Sequence, residues 1–206
     1  MTEEERIFRG QLFSPYDPRL REMKLKAHRL SRQYNSLDEE DTEARSSILQ
    51  DLFGEIGEGT FIQGPVQIHY GCHTKIGRHC FINFNLTIQD DAPVQIGDHC
   101  NFGPNVTVVT PLHPMIAEER RSVLCEDGIE RELCYAKPVM IGNDCWVGAN
   151  VVICPGVEIG DKCVIGAGSV VTRSIPAGTF AAGVPARVIR SIDETDSVYR
   201  LFERVR

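Results

Sequence analysis

The chain holds six histidines and eight cysteines, the side chains best suited to proton transfer, nucleophilic attack or metal binding. His113 stands in Thr110-Pro111-Leu112-His113-Pro114. Imidazole titrates near neutrality, so a positioned histidine can take the proton of an attacking hydroxyl, an effect worth about 10²–10⁴ in rate. Taken alone, a loop histidine is more often a solvated side chain. A catalytic zinc would need three histidines converging from neighbouring turns of chain. His69 and His73 are separated by three residues and no H-x4-H spacing occurs, so the pattern does not favour such a site. The cysteines, Cys72, Cys80, Cys100, Cys125, Cys134, Cys145, Cys154 and Cys163, include no C-x-x-C pair, which argues against a zinc ribbon or a thioredoxin-type motif. Asp17, directly before Pro18, is a carboxylate at a helix start, with aspartate as N-cap and proline as first helical residue.

These residues must be carried by 206 residues, 42% hydrophobic and 25% charged, a composition of globular rather than disordered chains. The formal net charge is −7, which argues against non-specific nucleic-acid binding because no positive field draws phosphates. No apolar run approaches the ~20 residues of a membrane helix. Met1-Thr2-Glu3-Glu4-Glu5 is acidic and leads into no hydrophobic stretch, so no signal peptide and a cytoplasmic location are expected, with thiols kept reduced.

Three zones follow from composition. Residues 1–55 are charged and carry two of the 18 glycines, Gly10 and Gly54. Leu20, Met23, Ala27, Leu30 and Tyr34 recur at helical spacing after Asp17-Pro18, and a second helix is expected from about Glu39 to Phe53, stopped by Gly54. Residues 56–190 repeat. Ile56, Ile62, Ile68; Ile76, Ile82, Ile88; Ile96, Phe102, Val108; Ile141, Val147, Ile153; and Ile159, Ile165, Val171 lie six apart within each triplet. Six is a multiple of the strand period and not of 3.6, so each repeat sends the same side chain inward, as in a solenoid of short parallel strands. The triplets begin 20, 20, 45 and 18 residues apart, which makes about five coils with one long inserted loop at about 111–138. Long loops thrown from rigid scaffolds are commonly functional. Thr60, Cys80, Cys100, Cys145 and Cys163 share one small inward column, and Cys72 is expected to hold the matching place on another face. Free cysteine behaves there as a small hydrophobe, so these thiols are read as structural. Residues 191–206 turn polar, with a short C-terminal helix expected from Asp193.

Read along its length, this series resembles the galactoside/maltose O-acetyltransferases of the hexapeptide-repeat acyltransferases. The resemblance rests on Tyr16-Asp17-Pro18, Tyr34-Asn35, Tyr70-Gly71, Asn83-Phe84-Asn85, Asp90-Asp91, Pro104-Asn105-Val106 and His113-Pro114. It continues through residues 141–148, 155–157, 165–172 and 182–187. It implies a left-handed parallel β-helix, a homotrimer with sites between subunits, and acetyl-CoA as donor with no metal required. The hand comes from the resemblance alone.

The resemblance also implies roles. His113 falls at the family's catalytic histidine, and Asn83 at the residue that stabilises the tetrahedral transition state and touches the thioester end. Asp17, His69 and Asp91 match acceptor contacts. A small hydroxyl residue is usual at the place of His69, so this chain departs from the galactoside pattern there. Ala149, Ala167, Thr172, Arg173, Arg187 and Arg190 match contacts of the CoA arm and nucleotide; an arginine suits phosphate. The function so implied is acetyl transfer from acetyl-CoA to a hydroxyl of a maltose- or galactoside-like sugar. Three other readings were open on the residues. One was a xenobiotic or antibiotic acetyltransferase of the same fold. The others were a γ-carbonic-anhydrase-like metal enzyme and a non-catalytic solenoid.

Overall fold

Strands of two to four residues stack in parallel on three faces, as the six-residue phase requires. The computed structural model describes residues 1–125 and 128–200. The first face holds Glu55–Ile56, Thr74–Ile76, Val94–Ile96, Val139–Ile141 and Glu158–Ile159. The second begins at Phe61–Ile62 and the third at Val66–Ile68. Of the fifteen phase residues, all but the partly covered Ile56 are buried. Five coils are complete. Ile175, bridged to Ile159, and the strand Thr179–Gly183 begin a sixth. That strand folds back antiparallel on Ala186–Ser191, so the last turn closes as a hairpin.

Three edges join the faces, and they differ in chemistry. At the first edge Cys80, Cys100, Cys145 and Cys163 are buried as expected. Their sulfurs do more than fill space. Each donates to a carbonyl of the next coil: Gly97 O, Gly142 O, Gly160 O and Pro176 O, at 3.1–3.2 Å. Thr60 does the same toward Gly77 O at 2.6 Å. A Cβ on Gly97 would lie 2.7 Å from the backbone carbon of Gly142, so the coils approach there too closely for a side chain. Cys72 departs from the expected column. It is exposed, and the buried Thr74 takes the inward place before Ile76. The two extra residues of that coil fall between Ile68 and Thr74, and they shift the phase by one pair.

The second edge comprises residues 63–65, 83–85, 103–105, 148–150 and 166–168. Asn85, Asn105 and Asn150 turn it at φ of 60° or near, a conformation asparagine tolerates better than most residues. Asn85 Nδ2 donates to Asn105 Oδ1, and Asn105 Nδ2 to Asn150 Oδ1, at 2.9 and 3.0 Å.

One short helix packs against Tyr70, Ala92 and Cys134, and two longer helices close the open end. Thr2 caps α1 (Glu3–Phe8), Asp17 caps α2 (Pro18–Asn35), and α3 spans Thr42–Leu52. Asn35 imitates a neighbouring strand, accepting from Val66 N at 2.8 Å and donating to Val66 O at 2.9 Å. Tyr34 OH donates to Ile62 O, and the buried Arg45 donates to Tyr34 OH and Ile62 O at 2.7 and 2.8 Å. The first coil's edge is thereby satisfied rather than left to pair with another chain.

The described residues of the inserted loop include two antiparallel pairs, Pro111–Leu112 with Tyr135–Ala136 and Val123–Leu124 with Glu130–Arg131. Where a short C-terminal helix was expected, the chain forms two 3-10 turns, Glu194–Asp196 and Val198–Arg200, the first capped by Asp193. The expected helix's last residues, 201–205, lie outside the described residues. Among the described residues no helix is long and apolar enough to cross a membrane.

Candidate active site

The third edge gathers the titratable groups. Its corner on the second coil carries two buried carboxylates, Asp90 and Asp91. Asp90 accepts from Tyr70 N at 2.8 Å and Thr74 Oγ1 at 2.9 Å, which ties the first coil's corner to the second. Burial pushes its carboxyl pKa up. Asp91 is 4% exposed, and its Oδ2 finds no hydrogen-bond partner among the described residues. Its Oδ1 lies 4.0 Å from His69 Nε2. Burial, then the charge of Asp90, raises Asp91 to about 6. Burial, then Lys24, lowers His69 to about 4, so its ring is neutral at physiological pH. An isolated buried carboxylate oxygen is costly to leave unpaired, and it is ready to accept from a hydroxyl.

His73 holds this corner. Its Nδ1 lies 2.9 and 3.0 Å from the carbonyls of Asp90 and Asp91, and its Nε2 3.2 Å from Glu4 Oε1 on α1. Burial disfavours the charged ring, but the Cys72 sulfur, Glu4 and the Asp90 carbonyl outweigh it and raise the pKa to about 9. Both nitrogens face acceptors, so His73 is an imidazolium pinning α1 to the coil. Nothing in the repeat signals this role, because the partner is 69 residues away in the chain.

Asp17 caps α2 through one oxygen, Oδ1, which accepts from Arg19 N and Leu20 N at 2.9 and 3.1 Å. It stands near Tyr70. Burial first, then Asp91, Asp90, Cys72 and Asp17, raises that phenol's pKa. Asp17, His69 and Asp91 are therefore assembled around Tyr70, with the His69 and Tyr70 rings 4.4 Å apart. His113 stands on the same edge at the base of the inserted loop, with its side chain 56% exposed. Its Nδ1 lies 3.4 Å from Cys134 Sγ and 3.9 Å from Glu132 Oε1. Phe13 and Cys134 exchange backbone hydrogen bonds, both 2.9 Å, and so lock the N-terminal segment to the loop.

Asn83 is elsewhere. It is half-buried on the second edge, where Asn83 Oδ1 accepts from Phe84 N at 2.9 Å and the NH2 side is left to donate. Ala149 and Ala167 share that edge on the fourth and fifth coils, and Arg187 extends it as the hairpin partner of Ala182. The edge is bare of side chains at Gly103, Gly148 and Gly166, whose added Cβ atoms would meet the next coil within 2.6–2.8 Å. Thr172 and Arg173 lie exposed on the third edge, above His113. Arg190 is engaged by Asp196 through both nitrogens, at 2.7 and 2.5 Å. One chain thus places His113, Thr172 and Arg173 on one edge and Asn83, Ala149, Ala167 and Arg187 on another.

A parallel three-faced solenoid of six-residue repeats with a helical cap is a hexapeptide-repeat architecture. Residues 6–57 match the maltose acetyltransferase hexapeptide capping motif, and residues 93–112 and 138–173 match the hexapeptide repeat of succinyl-transferase. The chain is 42% identical over 195 residues to galactoside O-acetyltransferase of Escherichia coli (strain K12), covering 95% of this chain and 92% of that protein. A solved structure of a galactoside acetyltransferase in complex with coenzyme A superposes with a TM-score of 0.86 at 42% identity, covering 95% and 94% of the two chains. A hexapeptide-repeat acetyltransferase from Vibrio cholerae, solved with acetyl-CoA, gives 0.82 at 33% identity, covering 94% and 100%. The chain belongs to the galactoside/maltose O-acetyltransferase family, and it is an acetyl-CoA-dependent O-acetyltransferase.

Proposed function

We propose that this enzyme acetylates a hydroxyl of a sugar, with His113 as general base and Asn83 as oxyanion donor. The observation that carries the acceptor side is Asp91. It is a buried carboxylate with one oxygen lacking a partner, beside a neutral His69 and on the edge that carries His113. Such a site takes hydroxyl donors, which suits a carbohydrate better than an apolar xenobiotic. His69, with a neutral ring, supplies a second partner for a hydroxyl. Asp17, with one oxygen committed to the helix cap, has the other available for the acceptor.

In the reaction, the acceptor oxygen attacks the thioester carbonyl while a ring nitrogen of His113 takes its proton. The Asn83 amide stabilises the oxyanion. The carbon–sulfur bond then breaks, and the proton passes from the imidazolium to the CoA sulfur. The CoA arm would run along the bare second edge from Asn83 to Ala167. That is three coil steps, about 14 Å at ~4.8 Å each. Arg187 would meet the phosphates. Arg190 serves them once it leaves Asp196.

We infer that the working unit is a homotrimer. The two edges carry complementary halves in the same axial order: His113 against Asn83 at the acyl end, Thr172 and Arg173 against Arg187 at the nucleotide end. Cyclic packing of edge against edge unites them. The inserted loop, starting at His113, would cover the acyl site and keep water from the thioester. Eight free cysteines support a reducing compartment such as the cytoplasm. His113→Ala should keep its thermal midpoint and its CoA affinity and lower kcat at least ~10²-fold. Wild-type turnover in that variant would remove His113 from the chemistry.

A further inference from the structure

Glu132 belongs to no hexapeptide and to none of the motifs that mark the site, yet it stands between two of the residues that do. Its Oε1 is 3.9 Å from His113 Nδ1, and its Oε2 accepts from Tyr16 OH at 3.0 Å. Tyr16 directly precedes Asp17, so the N-terminal segment reaches the base through this carboxylate. We propose that Glu132, held by Tyr16, is the positioning residue that fixes the tautomer and orientation of His113. The proposal rests on His113 being the base.

Three groups face the ring side of this arrangement. Glu132 and Cys134 come from the returning limb of the inserted loop, and Tyr16 comes from the N-terminal segment. Asp91, from the coil corner, acts on Cys134 from behind. Burial, then the charges of Glu132 and Asp91, raises the Cys134 thiol to about 11, so it stays a neutral thiol beside Nδ1. A neutral thiol donates or accepts weakly, whereas a carboxylate only accepts. The arrangement that satisfies Glu132 is therefore a proton on Nδ1. That tautomer leaves the Nε2 lone pair free to take the acceptor hydroxyl's proton, and the carboxylate balances the imidazolium that forms. Tyr16 occupies the second carboxylate oxygen and keeps the first turned to the ring. At 3.9 Å the carboxylate stands just beyond hydrogen-bond reach of the ring, and catalytic contacts of this kind shorten when the substrates bind. The backbone of Cys134 is tied to Phe13 in both directions, so the limb that carries Glu132 does not depend on the carboxylate for its place.

The test is Glu132→Gln, which keeps the shape and removes the charge. Its kcat should fall about 10–10²-fold with KM values for acetyl-CoA and acceptor within about threefold, since ring orientation acts on the chemical step. In ¹⁵N NMR of histidine-labelled protein, the His113 resonance, identified by its loss in His113→Ala, should report the Nδ1–H tautomer in the wild type and a mixture in Glu132→Gln. Glu132→Asp should recover part of the lost rate. Tyr16→Phe, on an exposed ring, should lose rate in the same direction by a smaller factor, and it carries the test if Glu132→Gln is destabilised. Wild-type kcat and an unchanged tautomer in Glu132→Gln and Tyr16→Phe, with His113→Ala inactive, would overturn the role of Glu132 and leave the base assignment standing. Full activity in His113→Ala would overturn both.

Discussion

The first and third edges of the same prism are built from the same repeat and do opposite work. The first edge is regular. Thr60 and four cysteines donate to the next coil one after another, and the glycines beside them let the coils approach within side-chain-free distance. The third edge breaks the phase at every coil up to the inserted loop. There the buried groups include Asp90, Asp91 and His73. A solenoid that satisfied every buried group on all three edges would have nothing left to bind with. Among the described residues the one unpaired buried carboxylate oxygen, on Asp91, sits where the repeat is interrupted.

Substitutions should separate the two edges. The largest effect is expected from Gly97→Val. The added side chain meets the backbone of the next coil, so the variant should fail to fold or lose most of its cooperative melting transition, as overpacking of several kcal/mol allows (about 3 or more). Circular dichroism on heating checks this. A native melting curve would mean that the coil spacing is set elsewhere.

Asp91 gives the next effect. Its carboxyl is raised to about 6, so it loses charge as pH falls through that value. The acceptor KM should then climb below pH 6 while the KM for acetyl-CoA stays level, and Asp91→Asn should flatten the climb and raise KM at pH 7.5 by about tenfold, the worth of one charge-assisted hydrogen bond. An acceptor KM independent of pH between 5 and 7.5 in the wild type would remove Asp91 from acceptor binding.

His73 concerns stability. Its folded pKa, about 9, lies above the unfolded value of 6.5, so its contribution is fully present below pH 6.5 and is lost as pH rises through about 9. Release of α1 should therefore appear between these values as faster amide exchange at Ile7 and Phe8 in the wild type. It should be present at all pH values in His73→Ala. The smallest effect is on thiol labelling: Cys72 should react fast in the native protein and Cys80, Cys100, Cys145 and Cys163 slowly. Equal rates would deny the edge its closure.

The contrast also explains what could be read from residues alone. Periodicity is a property of the chain, so the phase residues, the helix cap at Asp17 and the cysteine column were legible. The residues of the third edge that work through long-range partners were not. His73 meets Glu4, Tyr16 meets Glu132, and Cys134 meets His113, with no periodic signal to join them. Cys72 falls outside the column for a related reason. A two-residue bulge moves the phase, and composition does not say on which side of the bulge the inward residue falls.

The central claim is that His113 of one chain works with Asn83 of another. Co-expression of His113→Ala and Asn83→Ala chains under different tags, followed by tandem purification of mixed assemblies, tests it directly. In a cyclic trimer of either mixed composition, one of the three contacts unites an intact His113 with an intact Asn83, so turnover should return to about a third of wild type, while each variant alone stays inactive. Mixed assemblies as inactive as their parents would contradict the shared site.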